Sequence, residues 1–216
     1  MFPKTIEKEY FELEQFISGL YLKWNIFQSL FLKDQKRIDF LNHTASTFFA
    51  VVSHSLLKDI IISISQLVDN HKVGSNRNLS LHILVLQIPE KDKLLKKKLE
   101  QLRSEIVVSA TYIRALRSKY LAHLDYNLFK QNGSVAEFTV NKIKITNLLN
   151  LISDYMNEVS KHYKDTEVLY EFTDTFDFRS ADALIYWLKL GVKLNIYDFE
   201  NPDLRIQATP NRFDDA

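Results

Sequence analysis

Apolar residues recur at steps of three and four over residues 5–32, where Phe11, Leu13, Phe16, Ile17, Leu20, Trp24 and Phe27 share one side. That spacing predicts one long helix. After the polar break "LKDQKR", a second long helix is expected over residues 35–68, ending at Asp69-Asn70. It is apolar on more than one side from Phe48 onward, the pattern of a helix at the centre of a bundle. Next comes "DNHKVGSNRNLS", a loop by its crowding of Asp, Asn, Gly and Ser. A short helix over 79–87 must stop before Ile88-Pro89, because the residue before proline is pushed out of helical backbone. Pro89 opens a further helix, expected to run to about residue 121 on a stripe of Leu102, Ile106, Ser109, Ile113, Leu116 and Tyr120.

The pattern then changes. Asn132-Gly133 is a turn signal, and Phe138/Val140 followed by Ile143/Ile145 alternate as in an extended loop or a small hairpin. Thr146 is positioned to cap another helix, whose stripe is Leu148, Ile152, Tyr155, Val159 and His162. Beyond residue 164 one short helix is expected over 180–190, capped by Ser180 and stopped by Gly191, within an arm that wraps the bundle or meets a partner.

Composition agrees with a helical protein. Four glycines and four prolines are too few for the turns of a sandwich or a Rossmann-like sheet. A hydrophobic fraction of 46% supplies a core, and 25% charged residues fit a folded soluble domain. Cysteine is absent, which removes disulfides and thiolate metal sites and fits a reducing cytoplasm. The opening "MFPKTIEKEYFELEQF" has no apolar signal-peptide core. The apolar run over 48–68 contains Lys58 and Asp59, so a buried helix is expected there and no membrane span. Net charge is +1, so nucleic-acid contact would need a local patch such as "KDKLLKKKLEQLR", which reads more simply as a solvated helix face.

Phosphate-cradling glycine motifs and nucleophile elbows are missing. The six histidines, His43, His54, His71, His82, His123 and His162, include no pair at HExxH spacing, so no metal or cofactor is expected. What remains is "RSKYLAHLDYN", with Arg117 and His123 six positions apart. On an unbroken helix that step falls about 120° short of two turns, so the side chains diverge unless the helix ends between them. "AHLDYN" supplies such an ending, with Asp125 and Asn127 available for turn hydrogen bonds. Converging on one phosphate, the two groups suit RNA cleavage without metal. Histidine exchanges protons with the 2′-hydroxyl or the leaving oxygen, and arginine stabilises charge on the phosphoryl oxygens. An arginine and a histidine at a helix end equally complement the helix dipole and its free carbonyls. Taken alone, the two residues leave both readings open.

The stretch resembles the Rx(4–6)H signature of the HEPN superfamily, and the wider chain resembles its abortive-infection U-type (AbiU-like) members. "TASTFFAVVSHSLLKDIIISISQLVDN", "NRNLSLHIL" and "RSADALIYWLKLG" carry that likeness in order along most of the chain. The resemblance implies an all-α, HEPN-like bundle of four to five main helices over 1–165. A C-terminal extension over 166–216 would hold one short helix and an arm. It also implies a homodimer that places two Arg–His motifs in one cleft, with RNA as substrate; an antitoxin or other defence-system protein is a candidate further partner, and a cytoplasmic location is expected from the absence of cysteine and of a signal-peptide core. Arg117 would hold the scissile phosphate and His123 would act as general acid or base. Ser118 stands where the family commonly has Asn or Asp, a shorter hydrogen-bonding group. Tyr120 is a candidate for stacking on a base, although its stripe position suits the core. Asp69 is a candidate for orienting the motif, against the plainer role of a helix-ending Asp serving the next loop. A non-catalytic dimerisation or RNA-binding scaffold is the alternative.

Overall fold

The computed structural model describes residues 2–118, 140–172 and 180–193. The fold is all-α apart from one two-residue ladder. Two compact units divide the chain, Met1–Thr175 and Phe176–Ala216.

In the first unit, α1 (Lys4–Phe31) is followed after a three-residue break by α2 (Gln35–Val68). The Asp34 side chain opens α2 by accepting the Arg37 amide at 2.8 Å, which satisfies a donor that the first turn leaves free. α2 is kinked at Ala45 (φ −159°, ψ 68°). One residue earlier the Thr44 hydroxyl donates to the Phe40 carbonyl at 2.8 Å, the kind of back-bond that competes with the helical ladder. The expected loop carries a short hairpin of β1 (Lys72–Val73) and β2 (Asn76–Arg77), with Gly74 at φ 60°, where a side chain would be strained. α3 (Leu81–Gln87) follows and stops at an extended Ile88, as the proline rule requires.

Pro89 opens only a single 3₁₀ turn, Glu90–Asp92, ahead of α4 (Lys93–Ser109). The single helix expected up to residue 121 is broken at Ala110. A separate α5 (Thr111–Arg117) follows, and the rest of that prediction lies outside the described residues. The Asn132-Gly133 turn and Phe138 lie outside them too. The expected alternation of Ile143 and Ile145 is corrected: both sit in α6 (Lys142–Lys164). Thr146 is not its cap. Asn141 is, accepting the Lys144 amide at 3.0 Å.

α1 is the hub. It packs on α2, α3, α6 and the 3₁₀ turn Tyr170–Phe172, burying Tyr10, Leu13, Ile17, Leu20, Tyr21, Trp24 and Phe27. α2, expected at the centre, is more one-sided, because Phe48 and Val51 are 61% and 60% exposed. Its charges have simple outlets: Lys58 is exposed, and Asp59 pairs with Lys23 of α1 at 2.6 Å. Among the described residues, α2 is the one helix long and apolar enough to cross a membrane by length and composition. It packs on α1, α3 and α5, as a core helix does.

α4 lies along α6, whose buried stripe holds Leu148, Ile152, Tyr155 and Val159. His162 does not belong to that stripe; it is exposed in the last turn and faces Asp92. The Tyr155 hydroxyl, fully buried, donates to the Leu81 carbonyl at 2.7 Å and ties α6 to the start of α3. The unit continues past α6: Asn157 donates to the Val168 carbonyl and accepts its amide, at 3.0 and 2.9 Å. In the second unit, α7 (Ala181–Lys193) is capped by Ser180, whose hydroxyl accepts the Ala183 amide at 3.2 Å. Gly191 does not stop this helix but lies inside its last turn, where its helix penalty of about 1 kcal/mol is tolerated.

Candidate functional site

The site is built from two helix ends. α2 ends at Asp69, whose backbone is already extended (ψ 163°) while its amide still reaches the Ser65 carbonyl at 3.0 Å. That geometry turns the chain sharply and leaves the Asp69 carboxylate beside the helix terminus. α5 packs on α2 and ends at Arg117, which brings the guanidinium across. Arg117 NH1 lies 3.7 Å from Asp69 Oδ2, and both side chains are about half exposed. A pair this open in water contributes little stability, about 0–1 kcal/mol. At this distance the two groups form a loose ion pair and no hydrogen bond, beside a planar guanidinium with five N–H donors. Ser118 continues the helical backbone (φ −58°, ψ −46°) and is exposed. Tyr120, His123 and Asp125 lie outside the described residues. Of the sequence candidates, the structure therefore brings Arg117 and Asp69 together, with Ser118 next to them in the chain.

The loop after Asp69 is held firmly. The Asn78 amide donates to the His71 carbonyl at 2.7 Å, and the Asn78 side chain donates to the Asn70 carbonyl at 3.1 Å. Arg103 of α4 reaches Asn70 Oδ1 at 3.4 Å. His71 and His82 meet edge to face with their Nδ1 atoms 3.2 Å apart, so one ring must be neutral there to accept the other's proton. Burial, then the charge of Arg103 and the neighbouring His71, push the His82 pKa below 6.5. The sign follows. Between the folded and unfolded values the unfolded chain binds more protons, so stability is full above pH 6.5 and declines as pH falls through that window. His82→Gln is expected to flatten the fall in Tm between pH 7 and pH 5.5, as followed by circular dichroism. An unchanged pH slope would locate the acid sensitivity elsewhere.

Beside this loop opens a cleft of about 350 Å³, lined by Phe16, Gln66, Asp69, Arg77, Asn78 and Leu79. Sequence reasoning missed it because its walls join α1 to the end of α2 and the hairpin that follows, some 50 positions further along. A larger cleft, about 580 Å³, lies near the start of α4 and is lined by Lys91, Lys93, Lys98, Lys161, His162 and Asp92, among others. There the Tyr163 hydroxyl donates to Asp92 at 2.8 Å, and His162 Nε2 lies 3.3 Å from Asp92 Oδ1. The Tyr163 bond, then His162, hold the Asp92 carboxyl below its usual range. An acid at the start of α4 and a histidine at the end of α6 each complement a helix dipole, which accounts for the pair without a ligand. Among the described residues, no three or more His, Asp or Glu side chains are grouped to hold a metal ion.

Curated proteins and solved structures offer no match to this chain. A family model does match: that of AbiU2, a HEPN family, over residues 4–186. The match spans the whole helical bundle and reaches into α7, with Asp69, Arg117 and His123 inside it. The chain therefore belongs to the AbiU2 family of HEPN domains, HEPN-type proteins of abortive infection.

Proposed function

We propose that the protein is a metal-independent endoribonuclease of the HEPN type, acting in phage defence or as a growth-arresting toxin. One observation carries the reading: Arg117, the arginine of the Arg-x₅-His sequence, pairs with Asp69 at 3.7 Å inside the family match. In this reading Arg117 holds the non-bridging oxygens of the scissile phosphate. His123 takes the 2′-hydroxyl proton or returns one to the 5′-oxygen. The 2′-oxygen attacks phosphorus, the P–O5′ bond breaks, and the products carry 2′,3′-cyclic phosphate and 5′-hydroxyl ends.

The test is incubation of the purified protein with total RNA and a tRNA pool in EDTA. Cleavage with cyclic phosphate ends is expected. A requirement for divalent metal, or 3′-hydroxyl ends, would overturn the mechanism.

The active form in this reading is a homodimer. Phe48 and Val51, three positions apart on α2 and both largely exposed, offer the apolar surface that a second copy would cover. Sedimentation velocity is expected to show a dimer, and Phe48→Lys with Val51→Lys to shift it to monomer with loss of cleavage. A double variant that stays dimeric would place the contact on another face.

A further inference from the structure

We infer that the cleft lined by Phe16, Gln66, Asp69, Arg77, Asn78 and Leu79 is the subsite that takes an unstacked nucleotide of the RNA, next to the phosphate held by Arg117. This deepens the proposed function and rests on it for the position of the scissile bond.

The cleft and the catalytic arginine share one residue. Asp69 lines the cleft and is also the partner of Arg117, so a chain bound at Arg117 passes the cleft mouth. At about 350 Å³ the space suits a single nucleotide and not a duplex. Its lining matches the parts of a nucleotide. Phe16 is half-buried, so its ring is fixed by packing while part of it stays open, the arrangement on which bases stack. Gln66 carries an amide that both donates and accepts, as reading a base edge requires, and Asn78, whose Nδ2 donates to the Asn70 carbonyl, offers its Oδ1 as an acceptor. Arg77 is exposed on the hairpin and supplies planar donors for a phosphate. The lining holds one carboxylate, Asp69, whose charge is shared with Arg117 at 3.7 Å, and one guanidinium, Arg77.

Preorganisation supports the same reading. The two hydrogen bonds from Asn78 to the 70–71 backbone, with the Arg103–Asn70 contact, hold the lip of the cleft before any ligand arrives. A rigid lip lowers the ordering cost of binding. Pairing along both strands of a duplex would keep bases stacked and out of reach of Phe16, so the subsite selects single-stranded RNA.

The experiment uses the full chain carrying His123→Ala, so that RNA is bound without being consumed. Its affinity for a fluorescein-labelled single-stranded RNA dodecamer is measured by anisotropy against a blunt RNA duplex of the same sequence. Phe16→Leu, which keeps apolar bulk but removes the ring, is expected to weaken single-strand binding about tenfold. Phe16→Tyr is expected to restore it. Arg77→Gln should also weaken binding about tenfold and make the slope of log affinity against log salt shallower by about 0.7. Duplex affinity should change in neither variant. Equal affinity of all variants for the single strand, or no RNA binding by the His123→Ala protein, would overturn the subsite.

Parallel cleavage assays separate the two readings. A wild-type protein that binds through Phe16 and Arg77 but never cleaves removes the nuclease and leaves the subsite. One that cleaves with an unchanged KM after Phe16→Leu and Arg77→Gln removes the subsite and leaves the nuclease.

Discussion

Replacing His123 by alanine is expected to lower metal-free RNA cleavage by about a hundred- to ten-thousand-fold, the usual contribution of a positioned acid–base group. In the proposed mechanism Arg117→Ala should cost a comparable factor, about a hundred- to a thousand-fold, because it would remove donors aimed at charge that develops only in the transition state. The two losses should fall mainly on kcat. The Arg117 side chain can be lost cheaply for the fold. It is half exposed and its ion pair to Asp69 is a surface pair, so the melting temperature of Arg117→Ala should stay within a degree or two of wild type. Arg117→Lys makes the sharper comparison. It keeps the charge but loses the planar fork, so most of the activity should still be lost. Asp69→Asn keeps a polar group but removes the charge of the ion pair with Arg117, and in the same mechanism a loss of about tenfold is expected. If Arg117→Ala and His123→Ala each cleave as wild type does, the Arg-x₅-His motif has no catalytic part and the scaffold reading takes its place.

Where the sequence was legible, one signal was enough. The first two helices are bounded by simple features, Asp34 and the polar break between them and Asp69 at the far end, and their apolar steps are regular. The break at Ala110 was invisible for a geometric reason. Ala110 itself stays near helical backbone (φ −71°, ψ −6°), and Ile106 to Ile113 spans seven residues, close to two full turns. The buried stripe keeps its phase across the break, so periodicity reports one helix. The start of α6 was misread for the opposite reason. Val140, Ile143 and Ile145 imitate a strand over a few residues, while the deciding signal, an Asn141 cap facing the Lys144 amide, is one short side chain. Tertiary demand then reassigns Thr146, whose hydroxyl accepts the Trp24 indole instead of capping. The candidate site divides in the same way. Arg117 and Asp69 could be nominated singly, but their meeting spans 48 positions and depends on α5 packing against α2. Phe16 read only as part of the apolar stripe of α1 and Arg77 as part of a loop, since a cleft between separate segments has no spacing to read.

Trp24→Ala is expected to be the most damaging of the core truncations. Trp24 is 1% exposed, stacks on Phe27 with ring centroids 5.9 Å apart, and donates its indole N–H to Thr146 at 3.2 Å. Deleting a buried indole typically costs about 3–5 kcal/mol, through lost transfer energy and the cavity left behind. For a unit of this size that corresponds to a fall in Tm of about 10 °C or more. Trp24→Phe divides the effect. It keeps an aromatic ring against Phe27 but leaves the Thr146 hydroxyl without its donor, so a loss of about 1–2 kcal/mol is expected. Urea denaturation of the three proteins checks both numbers. The residue is a good probe because of where it sits: α1 touches α2, α3 and α6, and Trp24 is hydrogen-bonded from this hub to Thr146, the fifth residue of α6. Loosening that link should also slacken α1 against α2 and α3, the elements that carry Phe16, Gln66 and Asp69 or lie next to them. Trp24→Ala should therefore weaken single-stranded RNA binding below its melting transition, while Trp24→Phe leaves it intact. A Trp24→Ala protein as stable as wild type would mean that the bundle is held from another helix. Unimpaired RNA binding in a destabilised Trp24→Ala protein would show that the cleft is set by the Asp69 loop and its hydrogen bonds, independently of the α1 core.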